Sequence, residues 1–195
     1  MKSDAVIIFV RRPIAGKVKT RLAKTLGADK ALAIYKKLLA HTASITTNLS
    51  ADKFVYYSDA IDEQDGWKND VYKKRKQVEA EFGIKMQTAF DECFNEGYKK
   101  LLIIGSDCYE LTSEIIEEAF TQLKDADIVA GTAKDGGYYL LGMKKPNPSI
   151  FNLAAWSTRD VLKSTLVKCE AAGLSYYLLP ALNDVDEAED VNFDY

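Results

Sequence analysis

A cationic segment follows the first apolar run of the sequence. Residues 11–22, RRPIAGKVKTRL, carry five arginine or lysine side chains in twelve positions, although the net charge of the chain is −3. Arginine binds phosphate oxygens through its planar fork and lysine as a point charge, and glycine lets a backbone approach a ligand closely. Three interpretations are open: a phosphate-binding loop, a nucleic-acid-binding patch and an ordinary solvated loop. The candidate nucleotide-binding residues are Arg11, Gly16, Lys17, Lys19 and Arg21.

The spacing of this segment differs from the P-loop of kinases and ATPases. That motif requires Gly-Lys followed at once by Ser or Thr, with another glycine five residues before the second one. Here Val18 follows Gly16 and Lys17, and position 11 is arginine. A P-loop enzyme is therefore not predicted, although the ingredients of a phosphate site remain.

Two acidic segments are candidates for metal binding. Asp107 comes two residues after the apolar run LLIIG, and Asp184 and Asp186 lie two positions apart, on the same side of an extended segment. Carboxylates hold Mg²⁺ or Mn²⁺ together with substrate phosphates. Ser-Asp after a strand is also common in turns and helix caps, and an acidic run is commonly a solvated segment, so both interpretations stay open.

A glycine pair and two single residues complete the candidates. Asp135, Gly136 and Gly137 follow another apolar run and form either a ligand-lining bend or an Asp-Gly hairpin turn. Trp156 is either a binding platform or a core residue. The single histidine, His41, is expected on a helix in a structural role, so neither a histidine-based triad nor a histidine metal cluster is predicted.

Short apolar runs alternate with helical periodicity along the chain. This alternation predicts an α/β fold with a mostly parallel sheet covered on both faces. The predicted strands are 5–10, 53–58, 101–105, 127–131, 138–143 and 175–180, with a weak one near 71–72 in a loop over 59–76. The predicted helices are 28–47, 85–97, one capped by Thr112 or Ser113, and 158–172. Because such sheets bind ligands beyond the carboxyl ends of their strands, we expect the candidate residues to meet there.

Composition predicts the broad class of protein. With 195 residues, 47% hydrophobic and 28% charged, the chain is expected to form a single domain over residues 1–195. The negative net charge argues against a nucleic-acid partner. Three widely spaced cysteines favour reduced thiols and a cytoplasmic location. No signal peptide is predicted, and no segment approaches the roughly 20 apolar residues of a membrane span.

Taken together, these segments resemble a known family. FVRRPIAGKVKTRLAKTLG, QVEAEFGIKM, GSDCYEL, DGGYYLLGM, WST and DVDEAED are similar to small bacterial proteins of the nucleotide-diphospho-sugar transferase superfamily, usually labelled glycosyltransferases. The resemblance spans Phe9 to Asp190, and its most specific parts are residues 11–22 and 135–140. It implies the GT-A fold, a Rossmann-like α/β/α sandwich on one mixed, mostly parallel sheet. More distantly, the pattern resembles guanylyltransferases and phospholactate nucleotidylyltransferases.

The resemblance also implies roles for particular residues. The loop 11–21 would wrap the nucleotide phosphates, with Arg11, Lys19 and Arg21 as the principal cations. Asp107 and Asp186 match the ligands of Mg²⁺ or Mn²⁺. The catalytic residues would be Asp135, as base for an acceptor hydroxyl, Lys19 and Arg21, and the acceptor side would be lined by Gly136, Gly137, Lys85 and Trp156.

Several positions depart from the family pattern, including Glu81 and Phe82, where the family has aspartate and leucine. Tyr109 and Ala15 each stand where the family has proline, and Lys85 stands where it has arginine. Lysine lacks the bidentate geometry of arginine, so a substrate contact at Lys85 would differ. The resulting expectation is a metal-dependent transferase acting on a nucleotide or nucleotide-sugar, by glycosyl or nucleotidyl transfer. A non-catalytic nucleotide-binding module is the alternative; the oligomeric state is not predicted.

Overall fold

A mixed sheet forms the centre of the computed structural model, which describes residues 4–156 and 158–195. Within those residues seven strands pair in the order β3-β2-β1-β4-β6-β5-β7. The strands are β1 (Asp4–Val10), β2 (Asp52–Tyr57), β3 (Tyr72–Lys76), β4 (Lys100–Ile104), β5 (Ile128–Ala133), β6 (Tyr138–Met143) and β7 (Tyr176–Leu182). Only β6 runs antiparallel to its neighbours in this sheet, so the predicted mostly parallel α/β architecture is confirmed.

Helices cover both faces of the sheet. They are α1 (Thr20–Leu26), α2 (Ala28–Thr47), α3 (Phe82–Asn95), α4 (Ser113–Gln122) and α5 (Val161–Ala171). Alternate residues of β1 point to opposite faces: Val6 and Ile8 join α2 and α4 in one apolar cluster, whereas Ala5 and Ile7 join α3 and α5 in another. The α/β/α sandwich is therefore built from two cores with β1 and β4 buried between them.

One helix was not predicted from the sequence, and one strand was predicted only in part. Helix α1 begins at Thr20, inside the cationic segment, and is separated from α2 by Gly27 at φ 87°. Strand β3, YKKRK, extends the weak strand expected near 71–72. Its sequence is cationic and carries no apolar run, but in the structure Arg75 lies 4.4 Å over the Phe54 ring. Cationic side chains that pack on aromatic rings let a charged segment serve as an edge strand.

The N-terminal ends of three helices can be compared with the positions predicted from the sequence. Thr112 caps α4 as predicted, accepting a hydrogen bond from the Ile115 N–H at 3.4 Å. Helix α3 begins at Phe82, earlier than the predicted residue 85. Helix α5 begins at Val161 rather than at the predicted residue 158, with Asp160 before it.

The segment after β7 returns across the end of β4. The N–H of Asn183 donates to the Glu110 carboxylate at 2.9 Å, and the N–H of Val185 donates to the Asp107 carbonyl at 2.9 Å. Further along, the Phe193 ring stacks on Tyr109 at 3.9 Å. These contacts hold the acidic segment against the sheet instead of leaving it solvated. In the part of the chain that the structure describes, no helix is long and apolar enough to cross a membrane.

Candidate active site

A cavity of about 470 Å³ opens at the carboxyl ends of β1 to β4. Each strand contributes the residue that follows its last position: Arg11 after β1, Ser58 after β2, Gln77 after β3 and Gly105 after β4. These four strands run parallel, so their carboxyl ends meet at one edge. The residues that line the cavity are Phe9, Val10, Arg11, Val18, Lys19, Thr20, Arg21, Tyr35, Ser58, Gln77, Phe82, Lys85, Gly105, Ser106, Asp107 and Asp186.

Tyr35, on α2, fixes the start of the cationic loop. Its hydroxyl donates to the Arg11 carbonyl at 3.1 Å and accepts from the Arg11 N–H at 2.9 Å. Burial raises the pKa of Tyr35, which keeps this hydroxyl protonated and able to donate. The Arg11 backbone is thus held in place while its side chain stays exposed at the cavity.

Lys19 joins the cationic loop to both acidic segments. Its side chain is only 6% exposed, and its Nζ lies 2.9 Å from Asp107 Oδ1 and 3.2 Å from Asp186 Oδ1. Burial alone lowers the pKa of Lys19, but the charges of Asp107 and Asp186 outweigh it and leave the pKa raised. The lysine is therefore charged, and one ammonium group contacts two carboxylates that lie far apart in sequence.

The backbone of Lys19 is unusual as well. Among the residues described, Lys19 is the only non-glycine residue at positive φ, with φ 45° and ψ 49°. A left-handed conformation costs a side-chain-bearing residue about 1–2 kcal/mol. In this conformation Lys19 ends the loop directly before α1 and makes its ion pairs to Asp107 and Asp186.

The two carboxylates face the cavity from the other side. Asp107 and Asp186 are 43% and 41% exposed, and Arg21 Nη1 lies 3.4 Å from Asp186 Oδ2. Among the described residues, no group of three or more His, Cys, Asp or Glu side chains forms a metal site. Mg²⁺ commonly takes one or two protein carboxylates and completes its shell with phosphate and water oxygens. Two carboxylates that converge on one ammonium fit such a substrate-completed site.

Asp184, an acidic candidate that the family resemblance left out of the metal site, lies close to this acidic pair. Its pKa is raised to about 7, first by burial and then by the negative charges of Asp107 and Asp135, while Lys19 opposes the rise. The alternation in an extended segment indicated that Asp184 and Asp186 share a side; it did not reveal that the pKa of Asp184 is raised. Asp135 belongs to the turn between β5 and β6.

Asp135, Gly136 and Gly137 form that turn. Asp135 Oδ1 accepts from the Gly137 N–H at 2.9 Å, and Gly136 has φ 95°. A Cβ at Gly136 would clash with the Arg159 carbonyl, so this glycine permits close packing before α5. The hairpin interpretation is confirmed, and none of the three residues is in the cavity lining.

Two of the predicted acceptor residues, Lys85 on α3 and Trp156, differ in their position relative to the cavity. Lys85 lines the cavity, next to Phe82. Trp156 lies behind, with its ring 5.5 Å from the Phe82 ring and close to Gly83, where an added Cβ would approach the indole to 2.6 Å. Trp156 is therefore packed against the core and supports the cavity wall through Phe82.

Gly16 and Lys17 lie at the outer tip of the loop. Gly16 has φ 75° and no atom near its Cβ position, and Lys17 is exposed. Neither lines the cavity, in contrast to Arg11, Lys19 and Arg21. A ligand contact at the tip would require the ligand to extend beyond the cavity.

Sequence reasoning missed Tyr35, Ser58 and Gln77. Gln77 is 8% exposed, and its Nε2 donates to the Tyr56 carbonyl at 2.9 Å, which fixes the orientation of the amide. It was missed because β3, which positions it, carries no apolar run. Tyr109, a departure from the family pattern, stacks on Phe193 and lies 4.5 Å from the His41 ring, outside the cavity lining.

Comparison with known proteins places the chain in a family. The family model described as "Uncharacterized protein conserved in bacteria (DUF2064)" matches residues 41–158, more than half of the chain. This chain belongs to that family. A crystal structure described as a "putative nucleotide-diphospho-sugar transferase" from Desulfovibrio desulfuricans G20 is 31% identical, with a TM-score of 0.89, and the match covers 96% of this chain and 84% of that chain. The predicted superfamily is thereby confirmed.

More distant structures share the fold of the family. CMP:2-keto-3-deoxy-manno-octonic acid synthetase complexed with CTP has a TM-score of 0.61 at 10% identity, covering 96% of this chain and 94% of that chain. Rv0371C of Mycobacterium tuberculosis H37Rv, in complex with manganese, has a TM-score of 0.51 at 12% identity, covering 97% and 96%. Among curated proteins, none matches this chain significantly.

Proposed function

We propose that this protein is a metal-dependent transferase that acts on a nucleotide-sugar and passes the sugar to an acceptor. The observation that carries the proposal is the meeting of Lys19, Asp107 and Asp186 in the cavity at the strand ends. The 31% identical relative from D. desulfuricans is described as a nucleotide-diphospho-sugar transferase, which supports the same class of donor.

In this proposal the cationic side chains bind the diphosphate. Arg11 and Arg21 are exposed at the cavity, so their guanidinium groups can reach phosphate oxygens without crossing the core. A Mg²⁺ or Mn²⁺ ion held by Asp107 and Asp186 would offset the charge that develops on the leaving diphosphate. Fixed cations aimed at developing charge are commonly the largest contribution to catalysis.

Other residues of the cavity have proposed roles in binding. Gln77 and Ser58 follow β3 and β2, the cavity strands that lie farthest from β4 in the sheet. Their proposed role is to contact the base of the nucleotide. Lys85 is proposed to contact the acceptor, and Phe82, backed by Trp156, to shape that side. Asp135 remains the predicted base for the acceptor hydroxyl, and its carboxylate also accepts a hydrogen bond within its own turn.

Thermal unfolding with and without Mn²⁺ tests the nucleotide and metal parts of the proposal. A nucleotide or nucleotide-sugar at about 100 times its dissociation constant should stabilise the folded state by roughly 2.7 kcal/mol. Asp107→Ala should remove the Mn²⁺-dependent part of this stabilisation. Asp70→Ala, which removes an exposed carboxylate outside the cavity lining, is the matched control and should behave like the unchanged protein. If no nucleotide or nucleotide-sugar stabilises the protein, the proposed function is wrong.

Nucleotidyl transfer is the second candidate, favoured by the fold shared with the CTP-bound synthetase. Product analysis separates the two reactions: sugar transfer releases a nucleoside diphosphate from a nucleotide-sugar, and nucleotidyl transfer releases pyrophosphate from a nucleoside triphosphate. A non-catalytic module would bind without releasing either. Because Tyr109 lies outside the cavity lining, its departure from the family pattern gives no reason to prefer that third possibility. We also propose a cytoplasmic location, supported by three free cysteines.

A further inference from the structure

Both proposed metal ligands already have a cationic partner. Lys19 contacts Asp107 and Asp186 at 2.9 and 3.2 Å, and Arg21 contacts the second oxygen of Asp186 at 3.4 Å. The two negative charges are therefore matched by two positive ones. A free divalent cation that approaches this pair meets little net attraction and is repelled by an ammonium group only 6% exposed.

The carboxylates alone also offer few ligands. No third acidic, histidine or cysteine ligand joins them within the part of the chain described, so a bound ion must take most of its shell from elsewhere. A diphosphate supplies both missing components, because its oxygens coordinate the ion and its negative charge compensates Lys19 and Arg21.

We propose that Lys19 keeps free divalent cations away from Asp107 and Asp186, so that the site takes its ion already chelated by a nucleoside di- or triphosphate. The true ligand is then the metal–polyphosphate complex, and the nucleotide-free protein is a weak metal binder. This inference rests on the proposed function, and it adds an order of binding that the metal-site assignment alone does not contain.

A purely structural role of Lys19 predicts the opposite result. If Lys19 served only to hold the two carboxylates in place, its removal would let them separate and would weaken metal binding. If its charge is the obstacle, its removal strengthens metal binding in the absence of nucleotide. The sign of the change in metal affinity therefore decides between the two roles.

The experiment is a titration of the nucleotide-free protein with Mn²⁺, followed by electron paramagnetic resonance of the free ion. Lys19→Met should bind Mn²⁺ more tightly than the unchanged protein, by roughly tenfold and within the range of about 5- to 150-fold typical of coupled sites. Lys24→Met is the matched control, since Lys24 is an exposed lysine on α1 outside the cavity lining, and its Mn²⁺ affinity should not change.

Arg21→Met provides a second test that does not depend on the folding of the Lys19 variant. Arg21 is 68% exposed, so its replacement should leave the fold intact and raise Mn²⁺ affinity by a smaller factor. Far-ultraviolet circular dichroism checks the fold of each variant. Inorganic pyrophosphate is the polyphosphate probe: the unchanged protein should bind it at least about tenfold more tightly with Mn²⁺ than without.

The outcomes separate this inference from the proposed function. Unchanged or weaker Mn²⁺ binding in a folded Lys19→Met or Arg21→Met protein overturns the inference and leaves the metal-dependent transferase standing. Tight Mn²⁺ binding by the unchanged protein without pyrophosphate overturns it in the same way. Failure of every protein to bind Mn²⁺, even with pyrophosphate, overturns both the inference and the metal part of the proposed function.

Discussion

Two acidic residues of the C-terminal segment differ in their electrostatic surroundings. Asp184 and Asp186 are separated by one residue, yet Asp186 is paired with Lys19 and Arg21, whereas burial raises the pKa of Asp184 to about 7. The raised pKa means that ionised Asp184 destabilises the folded state. Its unfolded-state pKa lies near 4, so this penalty grows as pH rises from about 4 to about 7 and is constant above that range.

Asp184→Asn should therefore stabilise the protein at alkaline pH. At about pH 8 the gain in the free energy of unfolding should be on the order of 2 kcal/mol, and at about pH 5 it should be much smaller. Urea unfolding at both pH values measures the difference. Asp70→Asn, at an exposed position, should show no such pH-dependent gain. Equal effects of Asp184→Asn at both pH values would contradict the assigned burial.

At the scale of elements, apolar runs and capping residues predicted most of the fold. The bounds of α2, the cap at Thr112 and β6 agree with the sequence interpretation. Elements that depend on tertiary contacts were missed or predicted only in part. Helix α1 begins directly after a left-handed lysine held by distant acids, and β3 is a cationic strand packed on Phe54. Neither contact leaves a local pattern.

The same limit applies to the candidate site. The positions of Arg11 and Asp107 at the cavity follow from the rule for parallel strand ends, which the sequence could supply. Asp186 was assigned from the family resemblance, and it reaches the cavity because the segment after β7 returns across β4. The contributions of Tyr35 and Gln77 could not be predicted, because one comes from a helix across the loop and the other follows β3, most of which was expected to be a loop.

The β5–β6 turn yields a prediction at this scale. Gly136 and Gly97 have similar φ values, 95° and 91°, but only Gly136 has a backbone carbonyl where a Cβ would be placed. Gly97→Ala should cost about 1 kcal/mol of stability from strain alone. Gly136→Ala should cost more, by roughly 1–3 kcal/mol, because the segment before α5 must also move. Chemical denaturation of the two variants measures this difference; equal losses would argue against the tight packing.

For the whole molecule, two apolar cores enclose the central strands and determine the behaviour of the cysteines. Cys93 and Cys169 are in the core shared by α3 and α5, and Cys108 is in the core on the opposite face. Burial raises the pKa of Cys93 and Cys169 to about 11 and that of Cys108 to about 12. The reactive thiolate is therefore scarce near neutral pH, and access to each sulfur is blocked.

The folded protein should accordingly react slowly with a thiol reagent such as DTNB. Near pH 8, modification of all three cysteines should proceed no faster than the protein opens, and urea should accelerate it to the rate of an unfolded chain. Absorbance of the released thionitrobenzoate follows the reaction. Rapid labelling of any cysteine in the native protein would show that its core opens more readily than the packing indicates.

The return of the chain across β4 also has a consequence for biosynthesis. Leu182 ends the last strand of the described sheet, so all seven strands precede the segment that carries Asp186. Asp186 and the Phe193–Tyr109 stack arrive only afterwards. A chain that stopped at Leu182 would therefore contain every strand of the described sheet but lack Asp186, one of the two carboxylates that contact Lys19.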